Sequence, residues 1–175
     1  MSAETALNNI KEFLEETVKP QIQLQKASDN NVNSYELMHP NVFVGWVPPK
    51  GFLPSGMLAA IPCLIVGMDD GEDDGESDEL RIRVTAAVYS PGEHKPKSDG
   101  LEYTPDFQGY KDLLNLLERT KAEFLKNSII KNALKVHKPI KRGMYEELAY
   151  PYWYGWVTVT VSKSAYPQVD IAKLL

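Results

Sequence analysis

The chain of 175 residues has a single cysteine, Cys63, and no long apolar run. One cysteine excludes an internal disulfide and any thiol-based metal site. Because Cys63 lies in the apolar run "AAIPCLIVG", a buried and inert thiol is favoured over a nucleophile. No apolar run approaches the roughly 18 residues that a membrane span needs, and no basic region followed by an apolar stretch begins the chain. We therefore expect neither a transmembrane helix nor a secretory signal, and a protein that stays in the cytoplasm.

The common catalytic motifs are also missing. The sequence contains no GxSxG, GxGxxG or GxxxxGK[ST] pattern, so no motif supports a nucleophile elbow, a dinucleotide-binding site or a P-loop. The histidines His39, His94 and His137 stand next to proline or lysine, without the HxxxH or HxH spacing that a metal site would use. We therefore predict no catalytic residues, no metal site and no cofactor, and we expect that the protein is not an enzyme.

The net charge of -5 hides an asymmetry along the chain. The segment "DDGEDDGESDE", residues 69–79, has eight acidic residues and no basic one, so the remaining chain has 19 basic residues against 16 acidic ones. Gly71 and Gly75 are typical of turns, which places this segment at the tip of a long β-hairpin. The predicted acidic arm comprises Asp69, Asp70, Glu72, Asp73, Asp74, Glu76, Asp78 and Glu79.

A calcium-binding loop is the sharper interpretation of the acidic arm. If Gly75 took the glycine position of an EF-hand loop, the twelfth position would fall on Arg81, where a bidentate glutamate is required. Flanking helices are not predicted either. A solubilising, partly disordered tip that attracts divalent cations loosely is therefore the favoured interpretation.

A basic run follows later in the chain. Between Lys121 and Arg142 seven basic residues stand against one acidic residue, Glu123. Such a run is typical of a solvated helix face or, less often, of a nucleic-acid surface. No interleaving of arginine with aromatic residues and no nucleic-acid motif supports the second interpretation, so we expect no specific nucleic-acid binding.

Hydrophobic periodicity predicts an α+β fold. An N-terminal helix over residues 1–20, capped by Ser2 and ended by Pro20, precedes a polar connection over residues 21–37. Residues 38–175 then form one domain, whose antiparallel or mixed sheet has helices packed mainly on one face. A second helix begins at Thr104 as cap and Pro105 as first residue. The predicted strands are "NVFVGWV" (41–47), "AAIPCLIVGM" (59–68), "ELRIRVTAAVYS" (79–90) and "WYGWVTVTVS" (153–162).

The stretch "YPYWYGW", residues 150–156, concentrates five aromatic side chains. In a strand, alternation would place Tyr152, Tyr154 and Trp156 on one face and Trp153 on the other. Three rings on one face could form a stacking platform for a glycan or a single-stranded nucleic acid. Equally, such rings serve as core residues or as anchors of a protein interface.

Three segments carry a family resemblance: "GWVPP" (45–49), the helix start at residues 109–117 and "PYWYGW" (151–156). In this order, over residues 38–163, they resemble the tail terminator, or tail completion, proteins of long-tailed phages and prophages. The resemblance implies a compact domain that forms a ring, typically a hexamer, at the head-proximal end of the tail tube. Such a ring stops tube polymerisation and presents a surface to the head connector.

The resemblance also implies the partners and the location. The partners would be other copies of the chain, the tail tube protein and a head-completion protein, with no membrane involved. The protein would occur in the cytoplasm of the bacterial host during assembly and then in the virion tail. Because ring closure requires a heterologous interface, our hypothesis for the interface residues is Trp46, Tyr152, Trp153 and Tyr154. The alternative function is a monomeric module that binds a glycan or single-stranded nucleic acid through the same rings.

Overall fold

The structure, a computed structural model, describes residues 2–28, 35–49, 51–104, 106, 108–147 and 149–163. Its helices are α1 (Ala3–Thr17) and α2 (Gln108–Lys126), and a short 3₁₀ turn (Lys19–Gln21) follows α1. Its strands are β1 (Leu24–Gln25), β2 (Leu37–Met38), β3 (Asn41–Val44), β4 (Cys63–Asp73), β5 (Asp78–Tyr89), β6 (Glu93–Lys97), β7 (Gly100–Thr104), β8 (Ile129–Ile130), β9 (Leu134–Met144) and β10 (Tyr152–Lys163).

The N-terminal helix is confirmed. The Ser2 hydroxyl accepts a hydrogen bond from the Thr5 backbone N–H at 3.2 Å and so caps α1. Ile10, Leu14 and Val18, which recur at the helical period, are fully buried. As expected for a residue that cannot donate a backbone hydrogen bond, Pro20 lies beyond the α-helix, in the 3₁₀ turn.

One six-stranded sheet organises the fold. Its strand order is β3-β4-β5-β10-β9-β8; β3 runs parallel to β4, and all other neighbours are antiparallel. Two small ladders stand apart from it, and the sequence pattern indicated neither: β1 with β2, which ends at Met38 just past the predicted polar connection, and β6 with β7. The mixed sheet, the two helices and the N-terminal position of α1 confirm the predicted α+β class.

The main core lies between this sheet and both helices, so the helices cover the same face. On β5 the predicted alternation holds, because Leu80, Ile82, Val84, Ala86 and Val88 all point into the core. The other members from the sheet and helices include Leu64, Val66, Val157, Val159, Val161, Leu113, Leu116, Leu117 and Phe124. The opposite face of the sheet, here called the outer face, is therefore available for other contacts.

The start of α2 differs from the prediction. The helix begins at Gln108, and Thr104 is the last residue of β7 instead of the helix cap. The Asp106 carboxylate accepts a hydrogen bond from the Gln108 backbone N–H at 3.1 Å. Pro105 lies outside the described residues. The prediction was wrong here because pairing of β7 with β6 holds Thr104 in an extended backbone, which excludes it from the helix entry.

A second, smaller apolar cluster covers one end of the outer face. Phe43, Cys63 and Ala87 are buried there, and they pack against Val47, Met57, Ile61, Ile65 and Tyr154. The first half of β4 is therefore covered on both faces, as its continuous apolar run predicted. Burial raises the pKa of the Cys63 thiol to about 12, so the thiolate is strongly disfavoured.

Candidate functional site

The aromatic segment at the start of β10 divides between the two faces of the sheet, as alternation predicted. Tyr152, Tyr154 and Trp156 lie on the outer face, where β10 pairs with β5. The rings of Tyr152 and Tyr154 are stacked, with centroids 6.4 Å apart and planes inclined by 26°. Tyr154 is half-buried in the second apolar cluster, and this burial raises the pKa of its hydroxyl. Tyr154 therefore packs mainly inside its own chain.

Trp153 lies on the opposite, helix-covered face. Its indole lies on Gly109 of α2, where a Cβ atom would come within 2.1 Å of Nε1. Its Nε1–H donates a hydrogen bond to the Ser90 carbonyl at 3.4 Å, and the Tyr110 ring meets it edge to face at 6.5 Å. The structure thus places Trp153 between the sheet and α2. It does not bring Trp153 together with Tyr152 and Tyr154, because the sheet separates them.

Trp46 belongs to a long loop between β3 and β4, here called the apolar loop, residues 45–61 without residue 50. Gly45 turns the chain out of β3 in a left-handed conformation, with φ of 79°. Val47, Met57 and Ile61 pack on the second apolar cluster and anchor the loop to the outer face. Between these anchors, Trp46, Phe52 and Leu58 are 62%, 78% and 73% exposed.

Phe52 and Leu58 were not among the predicted interface residues. The signal was present in the sequence, because large apolar residues alternate with the turn-forming pairs Pro48-Pro49 and Pro54-Ser55. Turns bounded by proline prevent these side chains from joining a strand. Clustered apolar surface marks sites of contact with other molecules, and this loop alone contributes three of the large exposed apolar side chains.

The acidic arm is confirmed as the end of the hairpin formed by β4 and β5, and all eight predicted acidic residues lie on it. Three of them pair with bases of the same chain: Asp69 with Arg83 at 2.9 Å, Asp70 with Arg81 at 3.0 Å, and Asp78 with Lys163. Within the turn, the Asp74 carboxylate accepts hydrogen bonds from the backbone N–H groups of Ser77 and Glu76. These two bonds, that to Ser77 first, lower the pKa of Asp74.

The remaining acids of the arm have no ion-pair partner among the described residues. Glu72, Asp73 and Glu76 are exposed, and Glu79 is half-exposed. Glu72 lies directly opposite Glu79 in the ladder of β4 and β5. Like charges in such a cross-strand pair destabilise a hairpin. The arm thus keeps an internal repulsion that a positive partner would relieve.

An open groove of about 340 Å³ crosses the outer face beside the arm. Its lining includes Arg81, Arg83, Pro139, Lys141, Trp156 and Thr160. The Arg83 guanidinium lies 5.7 Å from the centroid of the Trp156 ring and is hydrogen-bonded to Asp69. The Tyr145 hydroxyl and, after it, Asp69 raise the pKa of Arg83. The groove therefore combines an aromatic surface with two arginines that are paired with Asp70 and Asp69, and with Lys141, which has no ion-pair partner among the described residues.

The basic run of the sequence is divided between three elements. Lys121 and Lys126 lie on α2, and Lys131 lies in the turn before β9, where it pairs with Glu16 at 2.6 Å. Lys135, Lys138, Lys141 and Arg142 all lie on β9. The interpretation of the run as a helix face was therefore wrong for these last four residues, which lie near one edge of the sheet.

Among the described residues, no three histidine, cysteine, aspartate or glutamate side chains come close enough to hold a metal ion. Over the same part of the chain, neither helix is long and apolar enough to cross a membrane. Comparison with protein-family models and with curated proteins finds no match to this chain.

Proposed function

We propose that this chain is a structural protein of a phage or prophage tail, and that its copies form a ring, of six in the assembled tail. The ring terminates the tail tube and joins it to the head connector, so its partners are the tail tube protein and a head-completion protein. It assembles in the cytoplasm of a bacterial host and remains in the virion tail. The resemblance over residues 38–163 supports this function, as does the α+β fold with its helices on one face of a mixed sheet.

One observation carries the assembly role: the apolar loop exposes Trp46, Phe52 and Leu58 in the isolated chain. Removing large apolar surface from water is the main driving force of protein association. Exposed aromatic side chains are typical anchors at the centre of a protein interface. Of the residues predicted from the sequence, Trp46 is therefore the one best exposed for contact with another copy.

The experiment is to replace the three anchors together, as Trp46→Ser, Phe52→Ser and Leu58→Ser, and to measure solution mass by light scattering over a wide concentration range. Wild type should reach about 118 kDa, six times the 19.7 kDa of one chain. The triple variant should remain at the mass of one chain. Its unfolding free energy should change by only about 0.5 kcal/mol per site, because substitutions at exposed positions have small effects.

A matched control removes exposed apolar residues elsewhere. Leu37 and Leu125 are 50% and 42% exposed in β2 and at the end of α2. Their replacement by serine should leave the mass of the assembly unchanged. A wild-type chain that stays monomeric throughout, or a triple variant that assembles like wild type, would contradict the role given to the apolar loop.

The groove on the outer face favours a second candidate function, a monomeric module that binds a glycan or a single-stranded nucleic acid. Trp156 offers a stacking surface there and Lys141 offers positive charge, whereas Arg81 and Arg83 are already paired with Asp70 and Asp69. Titration of tryptophan fluorescence with oligosaccharides and with oligo-dT separates the two functions. A saturable change that is lost in Trp156→Phe would support the module, whereas a flat titration would exclude it for these ligands.

A further inference from the structure

Both edges of the six-stranded sheet are open over part of their length. On one side, β3 pairs with β4 only from Cys63 to Val66, and no described strand continues this pairing along Gly67–Asp73. On the other side, β8 pairs with Leu134 and Lys135 of β9, and no described strand follows along the rest of β9. Open sheet edges carry unpaired backbone groups and are common sites of association between chains.

The two open edges carry opposite charges. The β4 edge belongs to the acidic arm, where Glu72, Asp73 and Glu76 are exposed and Glu79 is half-exposed. β9 carries three exposed lysines, Lys135, Lys138 and Lys141, here called the basic edge; Lys138 and Lys141 lie on its open part, and Lys135 lies next to it, opposite Ile129 of β8. None of these three lysines has an ion-pair partner among the described residues. The fourth base of the strand, Arg142, already pairs with Glu118 of α2.

Opposite charge on opposite edges decides which pairings between copies are attractive. Two acidic arms repel each other, as do two basic edges, so symmetric pairing of like edges is disfavoured. The acidic arm of one copy and the basic edge of another attract. An interface between two different patches of the same chain is heterologous, and repetition of such an interface closes into a ring when its rotation allows.

We propose that the acidic arm of one copy docks against the basic edge of the next copy, and that this head-to-tail contact orients the subunits. This inference deepens the ring function proposed above and rests on it for the closed assembly. The contact also supplies positive charge to the repelling pair Glu72 and Glu79. The arm projects beyond the covered part of the sheet, since Met68–Ser77 are all exposed, so it can reach a neighbour.

The contact uses side chains more than backbone ladders. Pro139 lies within β9 and offers no backbone donor, and the pairing of β9 with β10 shifts register between Thr158 and Thr160. Both features interrupt a continuous ladder along this edge. The attraction is therefore mainly electrostatic and falls with salt, because the Debye length shortens from about 10 Å at 0.1 M to about 3 Å at 1 M.

The test reverses the charges of each edge. The edge variant carries Lys135→Glu, Lys138→Glu and Lys141→Glu, and the arm variant carries Glu72→Lys, Glu76→Lys and Glu79→Lys. Asp73 and Asp74 are retained because their side chains bond the backbone of the turn. A double-reversed chain combines all six substitutions. Self-association is measured by analytical ultracentrifugation at low and high salt, with thermal unfolding as the check that each variant is folded.

The geometry predicts a specific pattern of rescue. Each single variant should associate at least about tenfold more weakly than wild type, because like charges then face each other. The double-reversed chain should recover to within about threefold of wild type, since it carries the same contact with its charges exchanged. An equal mixture of edge and arm variants should also associate, because each acidic arm then meets a basic edge and each basic arm an acidic edge.

Each outcome separates this contact from the ring itself. Rings that form equally well in both single variants would overturn the docking proposal and leave the ring standing. If association is sensitive to salt and is rescued in the double-reversed chain, but the assemblies are open chains of subunits, the docking is supported and the ring is overturned. A wild-type chain that stays monomeric at low salt would overturn both. Binding of oligo-dT that the edge variant loses, without self-association, would assign the basic edge to nucleic acid and overturn the docking.

Discussion

The contact between Gly109 and Trp153 allows a quantitative prediction about the junction of α2 and the aromatic strand. Replacing Gly109 by alanine normally stabilises a helix, by up to about 1 kcal/mol in its interior. Here the new Cβ would lie 2.1 Å from Nε1, 2.4 Å from Cδ1 and 2.7 Å from Cε2 of Trp153. All three atoms belong to a rigid ring. The indole or the helix must therefore move by more than about 1 Å to restore ordinary van der Waals contact between the new Cβ and the ring.

The expected cost follows from these contacts. Overpacking of a well-filled contact costs about 1–3 kcal/mol. Movement of the indole also weakens its hydrogen bond to the Ser90 carbonyl, which at 3.4 Å contributes at most about 1 kcal/mol. Set against the gain in helix propensity, the Gly109→Ala variant should be less stable than wild type by about 1–3 kcal/mol. For a chain of this length each kcal/mol lowers the melting temperature by about 2–4 °C.

Urea unfolding followed by far-UV circular dichroism measures this difference. Gly67→Ala is the matched control, because a Cβ there would meet only the Arg83 carbonyl oxygen, at 3.9 Å. A second background tests the cause. In Trp153→Leu, itself destabilised, the ring is gone and Gly109→Ala should become neutral or stabilising. The reasoning is refuted if Gly109→Ala leaves wild type unchanged, or if it destabilises the Trp153→Leu chain by the same amount.

Two further predictions concern buried groups. In the folded protein, Cys63 should not react with Ellman's reagent at pH 8, because the buried thiol has a pKa of about 12. In guanidinium chloride the same thiol should react fully. Rapid reaction of the folded protein would contradict the burial of Cys63. The Glu123 carboxylate accepts hydrogen bonds from Lys126 and from Gln21, and these two bonds, that from Lys126 first, lower its pKa. Its contribution to stability is therefore complete above about pH 4.5 and disappears as the pH falls through the folded-state pKa. Glu123→Gln should therefore cost about 1–2 kcal/mol at pH 7 and progressively less as the pH falls below about 4.5, and a loss that stays constant over this range in urea unfolding would exclude this role.

Local patterns gave part of the candidate site. The alternation of β10 correctly divided Trp153 from Tyr152, Tyr154 and Trp156, because side chains of a strand point to opposite faces with a fixed period. It could not tell which face the helices cover. That depends on α2 crossing the sheet at Gly109, a residue more than forty positions away in the sequence. The local pattern also did not show that Trp153 contacts α2.

The sequence by itself determined the N-terminal helix, the α+β class and the acidic arm, since each follows from periodicity, caps and turn residues within a short segment. Only the tertiary structure decided that β10 lies between β5 and β9, which separates the open edge of β9 from the open edge of β4 by two strands. It also decided that the apolar loop packs on the outer face through Val47 and Met57 while Phe52 stays in solvent. The reason is that strand order and loop packing depend on contacts between residues far apart in the chain, and local periodicity carries no information about such contacts.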